Sequence, residues 1–131
     1  MRVIALDYGS AKCGVAISDP SGVLATPLEE VRQPDSRKGR GRLLALIRES
    51  GAERVVVGLP LSLSGGDSAQ TQEARRFAEM IEQRLDGIPV ELYDERFTTL
   101  LAQRDVGTRA SEDSRAAAHL LSSWLDAQNH A

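Results

Sequence analysis

A short, uninterrupted apolar run opens the sequence and limits the folds that it can adopt. Val3–Leu6 is apolar at every position and ends at an acid, Asp7. A strand that is apolar at every position has to be covered on both faces, as a central strand of an α/β sheet is. Further along, Arg54–Leu59 (RVVVGL) is the clearest strand signal in the chain. The sequence therefore predicts a layered domain built on buried central strands.

The rest of the chain alternates between short strands and amphipathic helices. Further strands are expected at Gly14–Ser18, around Val23–Val31 and at Val90–Tyr93. The link before Gly14 is short and contains a glycine, so the first two strands should form an antiparallel hairpin. Helices are expected to end at Gly51, to start at Asp67 or Ser68, to follow Thr98 or Thr99, and to carry the apolar face of Ala116–Leu125. We predict one α/β domain, residues 1–131, with a mixed sheet.

Composition limits the compartment and the partners. The chain is 41% hydrophobic and 27% charged, with a net charge of −3, which is typical of a soluble globular protein. No apolar run approaches the ~18 residues that a membrane helix needs, and the start lacks the features of a signal peptide. A single cysteine, Cys13, excludes an intramolecular disulfide. We therefore expect a cytoplasmic protein without a membrane partner.

Acidic residues lie at the ends of two predicted strands. Asp7 ends the first strand, and Asp94 and Glu95 follow Val90–Tyr93. Open α/β sheets place their sites at the carboxyl ends of strands. A structural alternative remains for these acids, because Asp7 could cap a turn, and Asp94 and Glu95 could belong to a surface ion pair at a strand end.

Asp113 is the third acid of interest. By helical spacing it shares a face with Ala117, Leu120 and Trp124, so its carboxylate should be aimed at the sheet. It could also be the N-cap of that helix, and the two roles are compatible. Three converging carboxylates repel one another unless a cation intervenes. Oxygen ligands select hard ions, so the expected cation is Mg²⁺ or Mn²⁺.

Two kinds of segment could contact phosphates. The segment 32–42 carries five basic residues and one acid, although it could equally be a solvated loop. Gly58–Leu61 and Gly65–Asp67 could present backbone N–H groups to a phosphate, or could be flexible turns. They lack the lysine and spacing of a P-loop, so a nucleoside triphosphatase of that kind is not indicated.

Four motifs, in order along nearly the whole chain, resemble the YqgF family of bacterial RNase H-like proteins, also called RuvX. The motifs are Asp7-Tyr8-Gly9-Ser10 with Gly14-Val15-Ala16, Val57-Gly58-Leu59-Pro60-Leu61, Asp94-Glu95-Arg96-Phe97-Thr98-Thr99, and Asp113 with Ala116-Ala117 and Leu120-Leu121. The resemblance implies an RNase H-like fold, with a mixed five-stranded sheet and helices on both faces. It also implies a nuclease linked to 5′-end maturation of 16S ribosomal RNA.

The family's acidic triad maps onto Asp7, Glu95 and Asp113, with Asp94 as a substitute for Glu95. Two departures stand out: the segment between Ala102 and Asp113 looks short and lacks a lysine-rich run, and Cys13 replaces an arginine or a small polar residue. Candidate phosphate contacts are Lys12, Arg37, Lys38, Arg40, Arg42 and Arg96.

The expected reaction is hydrolysis of phosphodiester bonds in precursor ribosomal RNA by one or two Mg²⁺ or Mn²⁺ ions, in a monomer or weak homodimer. Three alternatives remain open. A Holliday junction resolvase would need a dimer with two-fold symmetry. A non-catalytic RNA-binding assembly factor is disfavoured only mildly by the acidic net charge. A sugar-kinase-like phosphotransferase would need a second lobe.

Overall fold

The computed structural model describes residues 1–61, 64–97 and 111–129. Its elements are β1 (Val3–Asp7), β2 (Lys12–Ser18), β3 (Ala25–Pro27), β4 (Val31–Arg32), α1 (Arg37–Ser50), β5 (Arg54–Leu59), α2 (Ala69–Arg84), β6 (Val90–Asp94), a 3₁₀ turn (Glu95–Phe97) and α3 (Glu112–Asn129). The helix expected after Thr98 or Thr99 lies outside the described residues. No helix in the described part of the chain combines the length and apolarity that a membrane crossing requires.

The strands form one mixed sheet in the order β3-β2-β1-β5-β6. β1 pairs antiparallel with β2, which confirms the hairpin, and parallel with β5, which in turn pairs parallel with β6. β1 is therefore central.

A sixth strand was not expected from the sequence. The segment predicted as one strand around Val23–Val31 divides into β3 and β4, which both pair with β2. Pro27 ends β3, and a proline has no N–H to donate to a strand ladder. The described sheet therefore has six strands where the sequence predicted five.

Helices cover both faces of the sheet, as predicted. Alternate residues of a strand point to opposite faces. Ile4 and Leu6 belong to the core under α1 and α2, whereas Val3 and Ala5 belong to the core under α3. The continuous apolar run of β1 thus serves two cores at once.

The basic segment is helical from Arg37 onward, so the interpretation of residues 32–42 as a loop was wrong for most of its length. The Ser36 side chain accepts a hydrogen bond from the Gly39 N–H group at 3.0 Å and so caps α1. Gly39 fits tightly under the preceding turn, since a Cβ there would lie 2.0 Å from the Gln33 carbonyl oxygen. The charge pattern of the segment could not predict this helix start, because it depends on the packing of Gly39 against the preceding turn.

Candidate active site

Asp7 and Glu95 approach each other across β5, at the carboxyl end of the central strands. Asp7 ends β1 and Glu95 follows β6, and β5 lies between these strands. The β5 residue at this level is Gly58, and a Cβ there would lie 2.6 Å from the Glu95 Oε1 atom. The missing side chain lets Glu95 reach over β5, where it forms a hydrogen bond with the Asp7 carboxyl.

Asp113 approaches from the opposite side of β1. Gly14 of β2 is the cross-strand partner of Asp7. A Cβ on Gly14 would lie 1.9 Å from the Asp113 carbonyl oxygen, so the start of α3 rests directly on this glycine. The charge of Asp113 is close enough to influence the Asp7 carboxyl. A glycine in each strand beside β1 therefore leaves space at this site. Gly58 makes room for the Glu95 side chain, and Gly14 makes room for the backbone of Asp113.

Ser114 fastens the start of α3 to β2. Its fully buried hydroxyl oxygen accepts a hydrogen bond from the Val15 N–H group at 3.1 Å. An unpaired N–H group would be costly at this buried position. The N-cap of α3 is Ser111, whose side chain accepts from the Ser114 N–H group at 3.2 Å. Asp113 is therefore not the helix cap that the sequence left open as an alternative.

Sequence reasoning did not give Gly14, Gly58 or Ser114 these positioning roles. A glycine inside a strand pattern was the available signal for the first two, because it often marks a close backbone approach. No comparable signal marked Ser114, since its partner Val15 lies 99 residues earlier in the chain.

Burial and the neighbouring acids raise the pKa of Asp7 to about 7. Loss of solvation is the largest cause, followed by the charge and hydrogen bond of Glu95 and by the charge of Asp113. Without a cation, Asp7 therefore keeps its proton to a higher pH than an ordinary aspartate does.

This shift predicts a pH-dependent stability in metal-free buffer. The folded pKa of Asp7 lies above the unfolded value of 3.8, so the folded state binds the proton more tightly. Protonated Asp7 contributes up to roughly 4 kcal/mol to the free energy of unfolding. This contribution is fully present below about pH 4 and is lost as the pH rises through about 7. Urea unfolding of wild type and Asp7→Asn with EDTA at pH 4–8 measures this loss. The difference between the two proteins should grow with pH, whereas a constant difference would contradict the shift.

Asp94 is engaged elsewhere. Its carboxylate accepts hydrogen bonds from the Arg96 Nε atom at 3.0 Å and from Nη2 at 2.6 Å. The Arg96 guanidinium lowers the pKa of Asp94. The ion pair that the sequence left open for Asp94 and Glu95 is thus made by Asp94. Glu95 is the acid that contacts Asp7.

The candidate phosphate-binding residues occupy three places. Arg37, Lys38, Arg40 and Arg42 belong to the first turns of α1. Lys12 is exposed on β2 opposite Arg32 of β4. Arg96 is exposed at the end of β6, where its Nη1 atom lies 3.6 Å from the position of a Cβ on Gly65.

The donor set suits a hard cation, but the side chains are not in a metal-binding arrangement. Among the described residues, no three His, Cys, Asp or Glu side chains are grouped so that they could hold a metal ion. The contact between Asp7 and Glu95 instead raises the pKa of Asp7 and so favours its protonated form. A divalent cation would relieve the same repulsion that this proton relieves.

Comparison with known proteins identifies the family. The model of the RuvX family, described as Holliday junction resolvase, matches residues 1–127. A relative from Mycolicibacterium paratuberculosis, named "Putative pre-16S rRNA nuclease", is 45% identical over 95% of this chain and 80% of its own length. A relative of the same name from Mycobacterium tuberculosis is 45% identical over 95% of this chain and 78% of its own.

Solved structures give the fold class. Thermus thermophilus RuvC in complex with a Holliday junction substrate has a TM-score of 0.68 at 17% identity, and covers 99% of this chain and 96% of its own. A second structure of that RuvC has a TM-score of 0.66 at 16% identity, with 99% and 97% covered. The fold is therefore RNase H-like, as predicted. The chain belongs to the RuvX family, as its four motifs also predicted.

Proposed function

We propose that this protein is a metal-dependent nuclease that hydrolyses phosphodiester bonds in precursor 16S ribosomal RNA. The observation that carries the proposal is the approach of Glu95 and Asp113 to Asp7 at the carboxyl end of the central strand. A fold that brings acids together at the cost of mutual repulsion is typical of a functional site. The names of the mycobacterial relatives support the choice of substrate.

Asp7, Glu95 and Asp113 would hold Mg²⁺ or Mn²⁺ in this proposal. A divalent cation bound there supplies Lewis-acid activation of water and neutralises charge on the leaving oxygen. Asp7 would be the central ligand, because it contacts Glu95 and its pKa is raised by the charge of Asp113. The protein's own task would be to keep the three acids at one end of the sheet and to hold the phosphate beside them.

Cations would position the substrate backbone. Arg37, Lys38, Arg40 and Arg42 place positive charge at the N-terminus of α1, where no acid is present in the first turn. Positive side chains are unfavourable at a helix N-terminus, whereas an anion is favourable there. A phosphate ligand would account for their placement, with Lys12 and Arg96 as further contacts. We propose that a single domain, monomeric or weakly dimeric, acts in the cytoplasm.

A panel of substrates tests the activity. Purified protein with Mn²⁺ or Mg²⁺ is incubated in parallel with precursor 16S fragments, four-way DNA junctions and single-stranded controls. We expect cleavage of the precursor fragments near the mature 5′ end. Preferred cleavage of junctions would favour a resolvase, which is the description of the family model. Binding without cleavage of any substrate would favour a non-catalytic assembly factor.

Metal binding should also stabilise the folded protein. A cation that binds only the folded state at about 100 times its dissociation constant adds about 2.7 kcal/mol, which raises Tm by several degrees. Thermal melts with EDTA, Mg²⁺ and Mn²⁺ measure this rise. The triple variant Asp7→Asn, Glu95→Gln, Asp113→Asn should lose it, and the exposed control Asp126→Asn should keep it. Equal rises in wild type and triple variant would locate the metal elsewhere.

A further inference from the structure

A groove of about 400 Å³ lies on the α1 and α2 side of the sheet and includes Tyr8, the residue that follows Asp7. It is formed by the residues after β1, the start of α1 and the exposed side of α2. The lining residues that matter here are Tyr8, Asp35, Arg40, Glu73, Arg76 and Phe77. Tyr8 directly follows Asp7, so the groove begins one residue from the centre of the proposed active site.

The groove has an aromatic wall. The Tyr8 ring stacks on the Phe77 ring, with centroids 4.2 Å apart and an interplanar angle of 27°. Phe77 is buried in the core under α2 and is 2% exposed, so it holds Tyr8 in place from below. The Tyr8 hydroxyl donates a hydrogen bond to the Asp35 carboxylate. A ring fixed on one face and at its tip is a rigid surface for a planar group.

Two arginines enter the groove from different helices. Arg40 comes from α1 and Arg76 from α2. Within the described ranges, neither guanidinium makes a hydrogen bond or an ion pair, although Asp35 and Glu73 line the same groove. Guanidinium groups are well suited to bind phosphate oxygens.

We propose that this groove binds one unpaired nucleotide of the substrate strand, next to the bond that is cut. Its phosphate would bind Arg40 and Arg76, and its base would pack against Tyr8. Asp35 and Glu73 are acceptors only, so they favour a base with an exocyclic amino group, namely adenine, cytosine or guanine, over uracil, whose only base donor is its N3–H group. Sequence-specific RNA recognition commonly stacks a splayed base on an aromatic ring and reads its edge by hydrogen bonds. This inference rests on the proposed function because it names part of the same substrate.

Binding of mononucleotides tests the groove without any cleavage. The four 5′-ribonucleoside monophosphates are titrated into wild-type protein in EDTA by NMR. We expect UMP to bind about 5-fold more weakly than AMP, CMP or GMP. Arg76→Gln should weaken the binding of all four by about 10-fold. Arg84→Gln, an exposed arginine in the last turn of the same helix, is the matched control and should bind like wild type.

Cleavage kinetics give the second readout. Arg76 is exposed, so its replacement should leave the thermal midpoint unchanged. On a substrate that wild type cleaves, Arg76→Gln should raise KM by about 10-fold and leave kcat within about 2-fold. The groove proposal would be overturned if Arg76→Gln bound every mononucleotide as tightly as wild type does. It would also be overturned if wild type bound no mononucleotide at millimolar concentration. The nuclease proposal would stand in either case. If mononucleotides bind in an Arg76-dependent way but the protein cleaves no nucleic acid, the groove proposal stands and the nuclease proposal is overturned.

Discussion

Replacement of Asp7 by Asn is expected to reduce cleavage by about three orders of magnitude or more while the fold persists. The amide keeps the shape of the side chain but removes the charge at the centre of the three acids. The proposed cation then loses its most central ligand, and the repulsion on Glu95 and Asp113 falls. Stability at pH 8 should therefore stay level or increase, and RNA affinity in EDTA should not fall because a negative charge facing phosphate is gone.

Matched variants separate this expectation from its alternatives. Glu95→Gln should also abolish cleavage, because Glu95 contacts Asp7 across Gly58. Asp94→Asn should act mainly through Arg96, its hydrogen-bond partner, and so alter KM more than kcat. Rates measured at saturating substrate, with thermal melts of every variant, make the comparison. Unfolding of Asp7→Asn would assign Asp7 a structural role. A larger loss of kcat in Asp94→Asn than in Glu95→Gln would assign the catalytic role to Asp94 instead of Glu95.

Gly14→Ala should destabilise the protein by about 3 kcal/mol and also suppress cleavage. The added Cβ would lie 1.9 Å from the Asp113 carbonyl oxygen and 2.8 Å from the Ser114 backbone nitrogen. These are backbone atoms, so α3 has to move away from β2. The movement would withdraw Asp113 from Asp7 and stretch the hydrogen bond from the Val15 N–H group to Ser114.

Gly41→Ala is the control for this prediction. Gly41 is an exposed residue of α1, and a Cβ there would have no heavy atom within 4 Å. Alanine is the better helix former, so this variant should gain about 0.5–1 kcal/mol. Urea unfolding at one pH gives both free energies of unfolding. Equal stability of Gly14→Ala and wild type would mean that α3 does not rest on β2 as described.

The sequence predicted those features that depend on local pattern. The apolar run of Val3–Leu6 predicted a central strand covered on both faces, and β1 has this position. The glycine after the first helix predicted its end, and Gly51 is left-handed with φ 74°. The apolar face of the last helix predicted that Asp113 lies next to the sheet, and its backbone does lie against Gly14 of β2. In each case periodicity or backbone preference is set within a few residues.

Tertiary structure alone decided how closely the acids approach. The residues of β5 and β2 beside Asp7 are both glycines, but their importance depends on strand order and register, which join residues far apart in sequence. The same holds for the helical start at Arg37, where Gly39 packs under the Gln33 carbonyl. The ring of Tyr8 meets Phe77 only because α2 crosses that end of the sheet. Strand patterns specify which face a side chain takes, whereas contact between distant segments depends on the packing of the whole domain.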